Sequence, residues 1–311
     1  MGRVALHLGA VLLIGAAPAR AVANDDGIEN IEVRGWSSRA AALAPKPDAS
    51  LSLDARALRV EMLGDVVGEM PGVSLVRQGG LGASQFISIR GADFDQTVVL
   101  FDDVPLTGPD RGAVDFSLIP LDGFDRIELF RGSAPIRYGM GAIGGVVRLV
   151  PKEAQRDAAT VSGSTGSFDT RQVRGVVEAG QGDWSFVSAG SGLWSQNNFS
   201  YLDDNATFAD PTDDRKVERI NADLAQGSGF AAARWERDAH RWALVGMVVH
   251  QGRGLPGPAT VVSPDSRQTR TRVLTSLGYR YRGRPPRRTD AFATVAVGFD
   301  EARVRDLFGR V

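Results

Sequence analysis

The sequence predicts two units in series, an α+β unit over residues 51–153 and a run of antiparallel β-hairpins over residues 154–311. Three observations carry that reading. One stretch alone in the first unit, with Leu58, Leu63, Val66, Val67 and Met70, has near-helical spacing, and Pro71-Gly72 stops it. Residues 272–282 alternate: Val273, Thr275, Leu277, Tyr279 and Tyr281 fall on one face, and Arg272, Ser276, Gly278, Arg280 and Arg282 on the other, with Leu274 as the exception. Glycine is 37 of 311 residues, roughly 12% against the usual ~7%, which suits a chain of many turns and close backbone approaches.

The totals exclude several classes. Lys+Arg is 36 and Asp+Glu is 37, a net charge of −1, with 43% hydrophobic and 23% charged residues. Such a chain is neither disordered nor a polybasic nucleic-acid binder, nor a helical membrane bundle. With 0 cysteines it has no disulfide and no thiolate chemistry.

Residues 1–23 read as an exported leader. Arg3 supplies positive charge, residues 4–17 are apolar apart from His7, and Ala19-Arg20-Ala21 or Ala21-Val22-Ala23 gives the small-x-small cleavage pattern. The apolar run meets Pro18 and Arg20 before it reaches the ~20 residues of an anchoring helix. No later stretch is long and apolar enough to span a bilayer, so any crossing of a membrane must use a closed barrel. Residues 24–50 are a polar tail with Pro45 and Pro47 and one β-branched run at 28–35. That run can act as a plain linker or add itself as a strand to a partner's sheet edge.

Past the helical stretch, the first unit has short β-rich pieces at 73–76, 86–90, 97–101, 126–130 and 145–150, each bounded by Gly, Pro or Asp. A literal Gly-x-Gly-x-x-Gly occurs at Gly139, Gly141 and Gly144. A dinucleotide fingerprint must open a helix, whereas Gly145-Val146-Val147-Arg148-Leu149-Val150-Pro151 is β-branched and ends in proline. These glycines are expected to let the chain turn against a neighbouring surface.

The second unit offers about seven strands, at 161–165, 170–179, 184–193, 218–237, 242–249, 272–282 and 291–299. A soluble sandwich would show the same alternation; connection lengths and aromatics favour a membrane barrel. Turns at 180–183, 238–240 and 283–290 are short, while 197–216 and 252–268 are long loops on the other side, where the connection at 166–169 is brief. Trp184, Trp235, Trp242, Tyr279 and Tyr281 cluster near the short turns, as an interfacial girdle would.

The 51–153 unit closely resembles the plug domain of TonB-dependent outer-membrane receptors. The resemblance rests, in order, on Leu63-Gly64-Asp65-Val66-Val67 through Pro71-Gly72-Val73, Gly79-Gly80-Leu81-Gly82, Ile87-Ser88-Ile89-Arg90-Gly91, Val98-Val99-Leu100-Phe101-Asp102-Asp103-Val104-Pro105-Leu106, Ile119-Pro120, Asp125-Arg126-Ile127-Glu128, Arg131-Gly132 and Tyr138-Gly139 with Gly141-Ala142-Ile143-Gly144-Gly145-Val146. Two departures are visible. Asp103 stands where the family's Asp-Gly turn has glycine, and Ser133-Ala134-Pro135 replaces the family's Gly-Pro-x-Ser order.

The resemblance implies an α+β plug domain followed by antiparallel transmembrane β-barrel strands, an incomplete barrel of about seven strands where plugged transporters use about 22. It divides the chain into a signal peptide (1–23), a periplasmic tail with a TonB box (24–50), the plug (51–153) and the N-terminal portion of the barrel (154–311). It places the TonB box at Ile31, Glu32, Val33, Arg34 and Gly35, and the substrate-facing plug apices at 79–86 and 107–113, with Gly79, Gly80, Leu81, Gln85, Phe86, Thr107, Asp110 and Arg111 as their contact residues. It casts Arg90 and Arg131 as plug–barrel latches, whose glutamate partners would lie largely beyond residue 311. The implied partners are TonB with its inner-membrane energising complex, outer-membrane lipid and a small-molecule ligand such as a metal chelate, with no nucleic acid. The implied location is the cell outer membrane, and the implied role is active uptake of a siderophore, haem, cobalamin or similar large ligand.

Other chemistry is sparse. Of 3 histidines, His7 lies in the leader, and His240 and His250 have no metal-ligand spacing. No nucleophile elbow or nucleophile–base cluster is present, so no catalytic residue and no enzyme activity is expected. Asp102-Asp103 is expected to make a turn, because adjacent strand residues point to opposite faces. The sequons Asn198-Phe199-Ser200 and Asn205-Ala206-Thr207 carry no expected role. The acidic loop with Asp203, Asp204, Asp213 and Asp214 offers hard oxygen ligands for Ca²⁺, against the plain reading of a solvated loop. Two other functions use the same features: a ligand-binding or signalling module without transport, and a soluble periplasmic β-sandwich hydrolase, which the missing catalytic constellation disfavours.

Overall fold

A computed structural model describes residues 9–10, 46–53, 59–106, 112–132, 142–154, 156–204, 207, 212–258, 262–283 and 290–305. The expected leader, apart from the two-residue strand β1 (Gly9–Ala10), lies outside the described residues, as do the expected TonB box and Thr107, Asp110 and Arg111.

The first unit is built from β2 (Ala49–Ser52), α1 (Leu63–Gly68), β3 (Val73–Arg77), β4 (Gln85–Ile89), β5 (Thr97–Phe101), β6 (Val104–Pro105), β7 (Phe124–Arg131) and β8 (Gly145–Pro151). The helix is shorter than the apolar spacing predicts. Met62 is still extended, and Leu63, Gly64, Val66 and Val67 are buried. The Asp65 carboxylate accepts the Met62 N–H at 3.0 Å and closes the first turn. Gly72, at φ +78°, takes the left-handed backbone that the exit requires.

A mixed five-stranded sheet runs β2-β7-β8-β5-β6, and β3-β4 forms a separate hairpin. β5 pairs in parallel with β8 and is buried at all its positions. A strand covered on both faces needs no alternation, which explains the unbroken Val98-Val99-Leu100-Phe101. Asp102 and Asp103 form the two-residue turn between β5 and β6 at φ 47° and 71°. Both central residues of such a hairpin turn need positive φ, which aspartate tolerates far better than most residues. Asp103 therefore fills the family's glycine position without changing the turn.

The second unit is one antiparallel sheet in the order β17-β16-β15-β14-β11-β10-β9, from β9 (Ala158–Gly166), β10 (Thr170–Gln181), β11 (Trp184–Ser195), β14 (Leu224–Arg237), β15 (His240–Gly254), β16 (Arg267–Arg282) and β17 (Asp290–Arg305). β1 adds a two-residue bridge to the β17 edge. The seven expected strands are present with one revision: the single strand expected over 218–237 is divided. Glu218 belongs to β13 (Arg215–Glu218), which pairs with β12 (Ser200–Asp203) in a hairpin of its own, and Asn221 at φ 50° separates it from β14. Among the described residues no helix is long and apolar enough to cross a membrane.

The long strands have two unlike faces. One carries exposed Val173, Val177, Phe186, Trp242, Leu244, Val248, Leu277 and Val297. The other carries buried Gln172, Arg174, Arg234, Gln251 and Ser276 together with Val187, Ala189, Phe230, Ala232, Val245, Met247 and Leu274. Those apolar residues share one cluster with Leu63, Ile87, Phe101, Phe116, Ile127, Leu129 and Leu149 of the first unit. Leu274, the break in the alternation, thus faces inward to meet the first unit. Register sets Trp184 opposite Trp235, Trp235 opposite Trp242 and Trp242 opposite Tyr279, an aromatic row across four strands at the short-turn end.

Candidate functional site

The first unit meets the long-stranded sheet through side chains. Its strands belong to separate sheets and share no ladder with the long strands among the described residues. What joins the two, beyond the common apolar cluster, is a set of inward basic side chains from the sheet that reach carboxylates of the first unit. Arg174 of β10 lies 3.7 Å from Asp122. Arg234 of β14 stands 4.0 Å from Asp102 and 3.6 Å from Glu153, and donates to the Lys152 carbonyl at 2.6 Å. Arg241 pairs with Glu153, Arg270 with Asp115, and Arg280 with Asp103 at 3.4 Å. Asp103 also accepts from Arg148 at 2.7 Å, so one turn residue ties its own sheet to β16.

Asp115 is the most enclosed of these carboxylates, at 3% exposure. It accepts the backbone N–H of Gln85 and of Ser117, each at 2.9 Å, besides the Arg270 guanidinium. Burial works against its charge, but Arg270 and those N–H donors together hold its carboxyl below the usual range. Asp122 and Asp102 go the other way. Burial, only partly offset by Arg174 and Arg234 respectively, pushes their carboxyls up.

At the long-loop end, the turn at 79–84 meets the sheet. Asn197 donates through Nδ2 to the Leu81 carbonyl at 2.8 Å, and Arg253 donates to the Gly82 carbonyl at 3.2 Å. Gly82, at φ +80°, leaves no room for a side chain, because a Cβ there would lie 2.4 Å from Leu224. Beside this turn, a groove of about 300 Å³ is lined by Val60, Gly80, Leu81, Phe168, Asn197 and Phe199, among others.

The expected apex residues separate on this geometry. Gly79 is exposed, and Gly80 and Leu81 line the groove. Phe86 is half-buried and stacks on Phe94 at 5.7 Å. Gln85 is fully buried, donating to Asp65 at 2.9 Å, so it props the turn rather than facing outward. The side chains of Arg90, at φ 55°, and Arg131 both come close to Gly72. Arg131 donates its backbone N–H to Asp48 and its guanidinium to the Pro71 carbonyl at 3.4 Å. Neither is paired with a carboxylate of the long strands among the described residues. Asp203, Asp204, Asp213 and Asp214 do not gather into a metal site: no group of three or more suitable ligands occurs among the described residues, and the Asp213 carboxylate accepts from Thr207 at 2.8 Å. Gly144 and Gly145 do serve close packing, since a Cβ would lie 2.6 Å from Ala92 at the first and 2.4 Å from the Phe130 carbonyl at the second.

Residues 52–146 match the family model of the TonB-dependent Receptor Plug Domain. That stretch is a plug domain of the TonB-dependent receptor kind. The chain is 36% identical over 121 residues to the vitamin B12 transporter BtuB of Vibrio cholerae, covering 39% of this chain and 20% of that protein. It is 34% identical over 131 residues to the vitamin B12 transporter BtuB of Photobacterium profundum, covering 41% and 21%. Among solved structures, the copper transporter OprC superposes with a TM-score of 0.64 at 15% identity over 85% of this chain and 39% of its own. The siderophore receptor PirA from Acinetobacter baumannii does so with a TM-score of 0.60 at 18% identity over 83% and 40%. At those identities the structural likeness is one of fold, a plug with barrel strands beside it. The match spans about a fifth of the BtuB relatives.

The inward cations of the barrel strands are what sequence reading missed. Of Arg174, Arg234, Arg270 and Arg280, alternation places only Arg280 on a polar strand face, and Arg270 lies outside the strand expected over 272–282. Their pairing with Asp122, Asp102, Asp115 and Asp103 joins residues up to 177 apart in sequence, and no local pattern signals it.

Proposed function

We propose that this chain forms the plug and first barrel strands of an outer-membrane receptor that imports a large, scarce ligand of the cobalamin or metal-chelate class, drawing energy from TonB. The observation that carries this reading is the mode of contact between plug and barrel. A plug held by ion pairs and apolar side chains, sharing no strand with the barrel among the described residues, can shift while the barrel ladders stay intact. Breaking and remaking such pairs one by one needs outside work, because a buried ion left alone costs about 3–5 kcal/mol.

In this reading the ligand settles on the outer side, against 79–81 and the barrel loops. The segment at Ile31, Glu32, Val33, Arg34 and Gly35 then pairs with TonB by strand addition. Arg90 and Arg131 are proposed as latches toward barrel strands later in the receptor. The test is uptake of radiolabelled cyanocobalamin and of a ferric siderophore by cells whose receptor is this gene product, intact or lacking residues 31–35. Energy-dependent uptake that disappears in the deletion while surface binding persists is the expected result. Binding without uptake by the intact protein would overturn transport and leave a binding or signalling module.

A further inference from the structure

The outer hairpin β12–β13 is joined to the barrel through two asparagines with left-handed backbone, Asn197 at φ 49° and Asn221 at φ 50°. Each spends its side-chain amide on carbonyls of other segments. Asn221 Nδ2 donates to Ser263 at 2.8 Å and Ser266 at 2.7 Å, both in the neighbouring barrel loop. Asn197 is different, because its Nδ2 donates both to Leu81 of the plug at 2.8 Å and to Ala222 at the far foot of its own loop at 3.0 Å. Its Oδ1 accepts from the Ser195 hydroxyl, which can in turn accept from Thr170 Oγ1 at 2.8 Å. Asn197 is 5% exposed, so these bonds are sheltered from water.

We propose that Asn197 is a coupling residue: one amide group clamps the plug turn at 79–83 to both feet of the barrel loop at 196–223, so that neither moves without the other. The physical reason is satisfaction of donors. If the plug turn withdraws, a buried amide N–H loses its acceptor, an unfavourable loss unless the loop moves with it. Asn197 is then a positioning residue that transmits displacement between the outer loop and the plug, in either direction. The Asn221 anchor holds the same loop to 255–266 and plays no part in that link.

Hydrogen exchange on the detergent-purified protein, with no ligand added, tests this. Asn197→Gly keeps the left-handed backbone and removes the clamp. Exchange is expected to rise about tenfold or more at 79–83 and at 219–223 together, equivalent to about 1.4 kcal/mol. Asn197→Asp keeps the bond to Ser195 but offers no N–H, and is expected to reproduce both changes. Asn221→Gly is expected to loosen 255–266 and leave 79–83 at the wild-type rate. A general loosening, in which Asn221→Gly also frees 79–83, would overturn the proposal, and so would an Asn197 variant that frees 219–223 alone. The measurement needs neither ligand nor TonB, so its outcome is independent of the uptake experiment.

Discussion

Asp115 shows how much a single side chain holds in this molecule. Its carboxylate caps the short turn at Phe116–Leu118, accepts the first N–H of β4 and meets Arg270 of the barrel. Replacing it by alanine strands the Arg270 guanidinium and two N–H groups in a buried place. The expected loss is about 3–5 kcal/mol, seen as a lowered denaturant midpoint, with a smaller loss for Asp115→Asn. The pH dependence has a definite sign. A carboxyl held below its unfolded value gives full stability above about pH 4 and loses it as pH falls through the folded value. Asp102 and Asp122, pushed up chiefly by burial, cost stability when ionised and ease it when protonated. Asp115→Asn is therefore expected to flatten the acid side of the pH–stability curve. An unchanged acid limb in that variant would show that Asp115 is not a main carrier of acid sensitivity.

At the scale of elements, the strands were largely legible and their partners were not. Alternation located β16 and even flagged Leu274 as an exception; only the packed structure shows that the exception faces inward and joins the apolar cluster shared by barrel wall and plug. The interruption at Asn221 escaped sequence reading because Glu218 and Leu224 both suit a strand, and no glycine or proline stands between them. The leftward turn is made by an asparagine whose side chain finds distant carbonyls. The plug glycines were legible as close approaches, but not which surface each would meet. Gly123 is the clearest case: at φ +93°, it would place a Cβ 2.2 Å from the Phe230 ring of β14. Gly123→Ala is expected to destabilise the plug–barrel contact by several kcal/mol, given strain in both backbone and packing. Thermal unfolding of the single variant and of Gly123→Ala with Phe230→Leu checks this, since the smaller side chain restores room and should recover part of the loss. No recovery would place the whole cost in the backbone.

For the whole molecule, the account requires that one face of the long-stranded sheet meets lipid and the other meets the plug. The exposed row of Trp242, Leu244 and Val248, with Leu277 beside it, suits hydrocarbon, and the aromatic row at the short-turn end suits the interface. Leu277→Lys is expected to cost about 2–4 kcal/mol in a bilayer, as a cation at mid-depth on the lipid face does, and to lower the amount assembled in the outer membrane. The same substitution would be almost neutral if that face were in water, so equal assembly would contradict the lipid-facing assignment. The seating of the plug can be tested more directly, because the chain has 0 cysteines and any introduced pair is read without background. A Cβ on Gly80 would lie 3.4 Å from Asn197 Cγ across the plug–barrel contact, which brings cysteines at the two positions within bonding reach. In outer membranes of cells making Gly80→Cys with Asn197→Cys, a disulfide should form and join a plug fragment to a barrel fragment after proteolysis between them. Free thiols at both positions in folded, membrane-inserted protein would contradict a plug seated against these strands.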